Sequence, residues 1–250
     1  MPKARAAALK ALALDPTLAD AHASLGDQLC VYDWDASAAE REFRRAIELN
    51  PSLANAHYFY ANCLVAHGRL AEALAEARRA HELDPLNPDV ATGLPWALYV
   101  ARRYDEAIAE QQKSLDLEPG SAHAHMLLAL PLAGKGSYAE ALAEARKMAA
   151  LAGDASNFAG ILGYVAGRAG ERAEAQHILT ALERRPPGNT AFASALVHLG
   201  LGNNDQALRW LQAAYEERDE WLVMVTPAPC FDPLRPDPRF SALMRKVGVE

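Results

Sequence analysis

Aromatic residues are scarce in this chain: they make up 7% of its 250 residues. With β-branched residues also thin, that scarcity excludes a mostly-β architecture. Cysteine is scarcer still. Cys30, Cys63 and Cys230 are odd in number and form no CxxC pair, so neither a disulfide framework nor a zinc site is expected. Thiols buried or half-buried in helices, in a reducing cytoplasm, fit that usage. Positive charge is short as well. Lys and Arg number 25 against 32 Asp and Glu, a net charge of −7, which lacks the basic footprint of a nucleic-acid binder. No apolar run approaches the ~18–20 residues of a membrane helix, so no membrane partner is expected. The basic residues of Met1 to Leu14 are interleaved with alanine, and no secretory cleavage pattern follows.

Alanine is abundant, at about a fifth of the residues, and it is the best helix former. The hydrophobic fraction, 51%, is too high for a disordered chain. The alanines are not scattered; they follow a period. Pro16, Pro51, Pro85 and Pro119 are spaced by 35, 34 and 34, each closing a similar phrase such as Leu49-Asn50-Pro51 or Leu83-Asp84-Pro85. The next step of 34 lands on Gly153, which ends a helix equally well. Glu42, Glu76, Glu110 and Glu144 keep the period, as do Glu72, Glu106, Glu140 and Glu174. Arg45, Arg79, Lys113 and Lys147 follow in the same register. Each glutamate of the first series could pair with the base three residues on, as in Glu76–Arg79, Glu110–Lys113 and Glu144–Lys147, giving a solvated, compensated face worth a few tenths of a kcal/mol per pair.

Each unit reads as two helices. Asn55 to Ala66 is apolar at helical spacing and stops at Gly68; Arg69 to Leu83 is amphipathic, with Ala73, Ala77, Ala80 and Leu83 on one face. Gly136-Ser137 with Glu140 predicts a helix stop followed by a capping box. Ala39, Ala73, Ala107, Ala141, Ala175 and Ala207 stand at matching places, where small side chains let paired helices approach closely. This pattern resembles the tetratricopeptide repeat (TPR): helix–turn–helix, 34 residues, small crossing residues and a terminal proline. The resemblance covers nearly the whole chain. It implies an all-α, right-handed superhelical solenoid, with first helices lining a concave groove and second helices forming the convex back. The large aromatic usual near the start of each unit is replaced by His22, His57 and His125, whose repeated position favours a packing role.

A narrower resemblance concerns Tyr32-Asp33-Trp34-Asp35-Ala36, Tyr99-Val100-Ala101-Arg102-Arg103-Tyr104, and Trp221-Leu222-Val223 with Phe231-Asp232-Pro233-Leu234. These pieces look like the repeat regions found C-terminal to effector domains of bacterial signalling proteins: serine/threonine kinases, adenylate cyclases and winged-helix regulators. No phosphate loop, kinase catalytic loop or basic recognition helix is present, so such an activity would reside elsewhere.

Residues 2–13 form an orphan second helix. About six units follow, at roughly 17–51, 52–85, 86–119, 120–153, 154–187 and 188–218, so residues 1–218 make one solenoid. Residues 219–250 break the period. Pro227, Pro229, Pro233, Pro236 and Pro238 punctuate a strap, and Asp237-Pro238 starts a short helix carrying Phe240, Leu243, Met244 and Val247. A cap for the terminal repeat is the expectation, with a separate docking peptide as the alternative.

No catalytic constellation emerges, and neither a cofactor nor a metal is expected. His123 and His125 diverge on a helix, there is no HExxH, and no serine or cysteine sits in a nucleophile elbow. Function therefore falls to the groove that the resemblance implies. Its wall reads Asn55, Tyr58, Phe59 and Asn62; then Asp89, Thr92, Trp96 and Tyr99; then His123, Met126 and Leu130; then Asn157 and Tyr164. Amides both donate and accept, so asparagines can hold a peptide backbone, and Tyr and Trp give large contact area at small entropic cost. Phe59, Trp96 and Leu130 could equally be inter-repeat core. The wall lacks the lysines and arginines with which some modules of this family clamp a terminal carboxylate. Pro95 and Pro131 inside first helices could reshape the wall by kinking, or be tolerated drift. The expectation is a protein-interaction module binding a peptide or helix, as a sensory or scaffolding part of a signalling system. Its rivals are a substrate-holding accessory of an enzyme system and a self-association module, which would make the chain a homo-oligomer.

Overall fold

The structure is a computed structural model that describes residues 2–153, 155–185, 190–222 and 227–248. Val223, part of the strap phrase above, lies outside them. Among the described residues every regular element is helical. The orphan helix α1 spans Pro2–Leu14. Six pairs follow: α2 (Ala19–Val31) with α3 (Ala36–Leu49), α4 (Ala54–Ala66) with α5 (Leu70–Leu83), α6 (Val90–Val100) with α7 (Tyr104–Leu117), α8 (Ala122–Gly134) with α9 (Tyr138–Ala152), α10 (Ser156–Arg168) with α11 (Arg172–Glu183), and α12 (Ala191–Gly200) with α13 (Asn204–Glu216). A 3-10 turn, η1 (Pro229–Leu234), and α14 (Pro238–Lys246) complete the chain.

Packing follows the period. Within each pair the helices cross, and each first helix stacks on the first helix of the next pair. The six crossing alanines, Ala39, Ala73, Ala107, Ala141, Ala175 and Ala207, are completely buried, so any larger side chain there would force the helices apart. Among the stacked first helices the contact between α10 and α12 is closest, because glycine faces backbone: a Cβ on Gly160 would stand 2.5 Å from Ala193 Cα. The turns inside the pairs need a left-handed residue. Gly68, Gly136, Gly170 and Gly202 supply it with φ between 70° and 89°, while Trp34 (φ 57°) and Arg102 (φ 60°) take the same place without glycine's freedom. The capping box expected at Ser137 does not form. Its ψ of 59° lies outside the extended region an N-cap side chain needs, and its hydroxyl makes no cap bond. Asp237 does cap α14, accepting from the Arg239 amide at 2.8 Å, with Pro238 in the first turn. Pro95 and Pro131 lie inside unbroken helices, α6 and α8.

The period in His and Glu has a structural meaning that charge compensation alone missed. His22 Nδ1 meets Glu42 Oε2 at 2.6 Å and its Nε2 meets the Pro16 carbonyl at 3.1 Å. His57 repeats this with Glu76 (2.6 Å) and Pro51 (3.2 Å), and His125 with Glu144 (2.6 Å) and Pro119 (3.1 Å). Each histidine thus ties a first helix, its second helix and the preceding loop. In the third unit Ala91 replaces the histidine, and Glu110 has Lys113 at 2.9 Å. The Glu144–Lys147 pair forms as expected (2.8 Å) even though His125 also engages Glu144, whereas Arg79 turns to Glu82 (3.4 Å) and leaves Glu76 to His57. Replacing His57 with leucine should leave Glu76 and the Pro51 carbonyl unpaired and lower unfolding free energy by about 1–2 kcal/mol in urea titration. An unchanged midpoint would show that these bonds contribute nothing.

Cys30 and Cys63 are not isolated thiols; they form a disulfide between α2 and α4, with Cα atoms 6.1 Å apart. Their separation of 33 residues is nearly one period, which sets them on adjacent first helices. The ground for inferring a reducing compartment is thereby removed. Cys230 remains free and is buried.

Residues of the C-terminal segment reach both the last repeat and distant turns. Phe231 is fully buried, its ring 6.0 Å from Phe192 and 6.3 Å from Phe240. Arg239 pairs with Asp205 at 2.6 Å. Arg102, from the third unit, pairs with Asp232 at 2.7 Å. Trp34, in the turn of the first unit, stacks on Tyr215 of α13 at 5.3 Å, and the Arg218 guanidinium lies 4.6 Å from its ring centre. The segment is therefore more than an end cap.

Candidate functional site

Helices α2, α4, α6 and α8 present one face to a cavity of about 320 Å³. Six of the residues expected on the groove wall line it: Tyr58, Asn62, Thr92, Trp96, His123 and Met126. They fall in two rows that keep the repeat step, Tyr58–Thr92–Met126 and Asn62–Trp96, because stacked helices bring equivalent positions side by side. Tyr58 is held hard against the backbone of the next helix: a Cβ on Gly93 would stand 2.9 Å from Tyr58 Cδ2. Its hydroxyl lies 3.4 Å from Thr92 Oγ1, which itself donates to the Asp89 carbonyl at 2.6 Å. Thr92 has spent its proton, so Tyr58 is the donor of that pair. Burial raises the Tyr58 phenol above its ordinary value, so it stays neutral.

The other expected wall residues lie elsewhere. Asn55 is half-buried in the first turn of α4, and Asp89 is exposed at the start of α6; neither lines the cavity. Tyr99 is not on the wall. It is 2% exposed, packed between Trp96 (5.6 Å) and Tyr104 (6.0 Å), because α6 turns that position towards the core. Burial first, and then the neighbouring Cys230 thiol, raises its phenol far above the ordinary value. Tyr164 is half-buried, and burial first, then the same thiol, raises its phenol well above the ordinary value. Of the wall candidates with core as the rival reading, Leu130 is buried, and Phe59 packs half-buried against the core.

Five lining residues escaped the sequence reading: Asp27, Val31, Leu127, Glu220 and Trp221. Asp27 was findable, since it precedes Asn62 by 35 residues, one period plus the single inserted residue of the first unit. Glu220 and Trp221 carry no periodic signal, because they come from the segment that follows the repeats. They close the cavity from that side. Asp219 Oδ1 accepts from the Trp221 amide at 2.9 Å and fixes the turn. Phe158 meets the Trp221 ring edge-on at 6.4 Å and the His123 ring at 5.0 Å, so the two sides of the cavity share one aromatic support.

The electrostatics are one-sided. The lining contains the carboxylates Asp27 and Glu220 and no lysine or arginine. Burial, opposed in part by the Gln28 side-chain amide and reinforced by Glu220, pushes Asp27 up to about 6. Elsewhere, among the described residues, Cys30, Cys63 and His67 bring potential metal-ligating atoms within 4.8 Å of one another. Joining the two sulfurs as a disulfide takes away the thiolates that a metal would need.

Family models of the tetratricopeptide repeat match residues 64–130 and, in a second version, 35–88 and 162–220. Together these stretches take in more than half of the chain. The chain is a tetratricopeptide repeat protein. Solved structures agree on the fold. A tetratricopeptide repeat protein from Parabacteroides merdae superposes with TM-score 0.64 at 13% identity over 89% of this chain and 90% of that one. A thermophilic TPR protein from Thermus thermophilus gives 0.62 at 21% identity over 79% and 99%. The APC/C hetero-tetramer Cut9-Hcn1 gives 0.66 at 16% identity, over 98% of this chain and 45% of that one. No curated protein matches the chain. Tetratricopeptide repeat proteins are in general protein-interaction scaffolds, typically without catalysis. No helix of this one, among the described residues, is long and apolar enough to cross a membrane.

Proposed function

We propose that this tetratricopeptide repeat protein binds an extended peptide segment of a partner protein on the concave face, and that it serves as the scaffolding part of a bacterial signalling system. The observation that carries the binding reading is the cavity itself. Four successive first helices build it, in rows that repeat along the solenoid, so the wall runs lengthwise as an extended chain requires. Tyr58, Trp96 and Trp221 supply the large, rigid contact area of binding hot spots. Asn62 and His123 supply groups that can meet a peptide backbone. The signalling role rests on the sequence pieces around Trp34, Tyr99 and Trp221 alone.

A peptide array probed with the purified chain tests the binding reading. Peptides should be retained by the native protein and lost by the double variant Tyr58→Ala, Trp96→Ala, with affinity falling at least a hundredfold for two truncated hot spots. Far-ultraviolet circular dichroism of the variant should show its helix content kept. Retention of the same peptides by a folded double variant would refute the assignment of the site.

A further inference from the structure

The chemistry of the cavity goes further than the proposal that a peptide binds there, and rests on it. We infer that the cavity is a pocket for one cation, the ammonium or guanidinium of a lysine or arginine side chain of the bound peptide. Asp27 on α2 and Glu220 of the C-terminal segment both line the cavity, from opposite ends of the chain. Among the described residues neither has a partner in an ion pair, although surface pairs elsewhere in the chain are common. Asp27 is half-buried and Glu220 exposed at the rim, and two carboxylates facing one cavity without a counter-charge repel each other, which an incoming cation relieves. The upward shift of Asp27 agrees with that unrelieved state.

The apolar part of the lining fits the same occupant. Tyr58, Trp96 and Trp221 offer aromatic faces, and rings attract a desolvated cation through the negative potential over their faces. Met126 and Val31 give the alkyl stem of a long side chain a surface to lie along. An acidic peptide is disfavoured by the same two carboxylates. The volume, about 320 Å³, lies at the small end of ordinary ligand sites and suits one long side chain with its adjoining backbone. The lengthwise rows of Tyr58, Thr92 and Met126 favour a side chain carried on a peptide over a free amine.

The test replaces charge without changing shape. Each peptide retained on the array is remade with its lysines and arginines exchanged one at a time for norleucine. At least one exchange should weaken binding tenfold or more. The variants Asp27→Asn and Glu220→Gln should each weaken the parent peptide by about tenfold, and the double variant should no longer distinguish it from its norleucine form. In parallel, butylammonium chloride is titrated into the native protein and into Asp27→Asn, with indole fluorescence of Trp96 and Trp221 as the readout. Peptides that need Trp96 but ignore every norleucine exchange would overturn the cation pocket and leave the peptide reading standing. Butylammonium binding that depends on Asp27, with no peptide retained at all, would keep the pocket and overturn its peptide origin. Absence of both would sink the two together.

Discussion

Replacing Asp27 with asparagine should make the folded chain more stable at pH 7.5, by about 2–3 kcal/mol, and leave it nearly unchanged at pH 4. The sign follows from linkage. Asp27 titrates at about 6 in the folded chain, above the ordinary aspartate value it has when unfolded. The folded state therefore holds that proton more tightly, and stability is lost as pH rises from about 4 through 6. Above 6 the loss is complete, and a neutral isostere that keeps the Gln28 neighbour restores it. Asparagine and aspartate have similar helix propensities, so the exchange adds little of its own. Urea titrations of both proteins at the two pH values measure the effect. A gain of equal size at both would mean that ionisation is not the cause. The same substitution is expected to weaken binding of a cationic peptide, so stability and binding should move in opposite directions. A residue placed only for the fold would move both the same way. In the native protein, peptide affinity should correspondingly decline as pH falls below 6 and Asp27 is neutralised.

Phe231→Ala should cost about 3–4 kcal/mol. The ring is fully buried, contacts Phe192 and Phe240, and lies in a 3-10 turn with little backbone reserve to close a void. Truncating a buried Phe loses its transfer free energy and leaves a cavity besides. The damage should concentrate in residues 227–248. Limited proteolysis is expected to cut that segment first, while the repeats beneath stay protected. A variant within 1 kcal/mol of the native protein and equally resistant to protease would show that the segment is held by Arg102–Asp232 and Arg239–Asp205 rather than by its aromatic core.

What the sequence disclosed and what it concealed divide along one physical line. Helix pairs, crossing alanines and turn glycines are local requirements repeated every 34 residues, so periodicity makes them visible. The wall positions Tyr58, Asn62, Thr92 and Trp96 follow from the same period, since rows of a stacked solenoid are rows of the sequence. Asp27 was hidden by one inserted residue that shifts the first unit out of register. Tyr99 keeps the helical spacing of the wall but not its exposure: three residues beyond Trp96 the side chain has turned to the core. Glu220 and Trp221 could not have been found by period at all, for they belong to the tail. The contact of Trp34 with Tyr215 spans 181 residues and obeys no repeat. The spacing of the histidines shows a packing position but not its partners, because equal spacing of Glu and Lys looks the same whether or not a histidine lies beneath.

Trp34 and Arg102 stand in left-handed turns where four other units use glycine. Such a conformation costs a side-chain-bearing residue about 1–2 kcal/mol. Both residues make contacts glycine could not: Trp34 with Tyr215 and Arg218, Arg102 with Asp232. An open stack of repeats behaves as a spring, whose pitch drifts as small rotations between neighbours add up. These two turns fasten the first and third coils of that spring to its far end. The interior curvature is then held at one width before anything binds, and a ligand need not spend affinity on winding it.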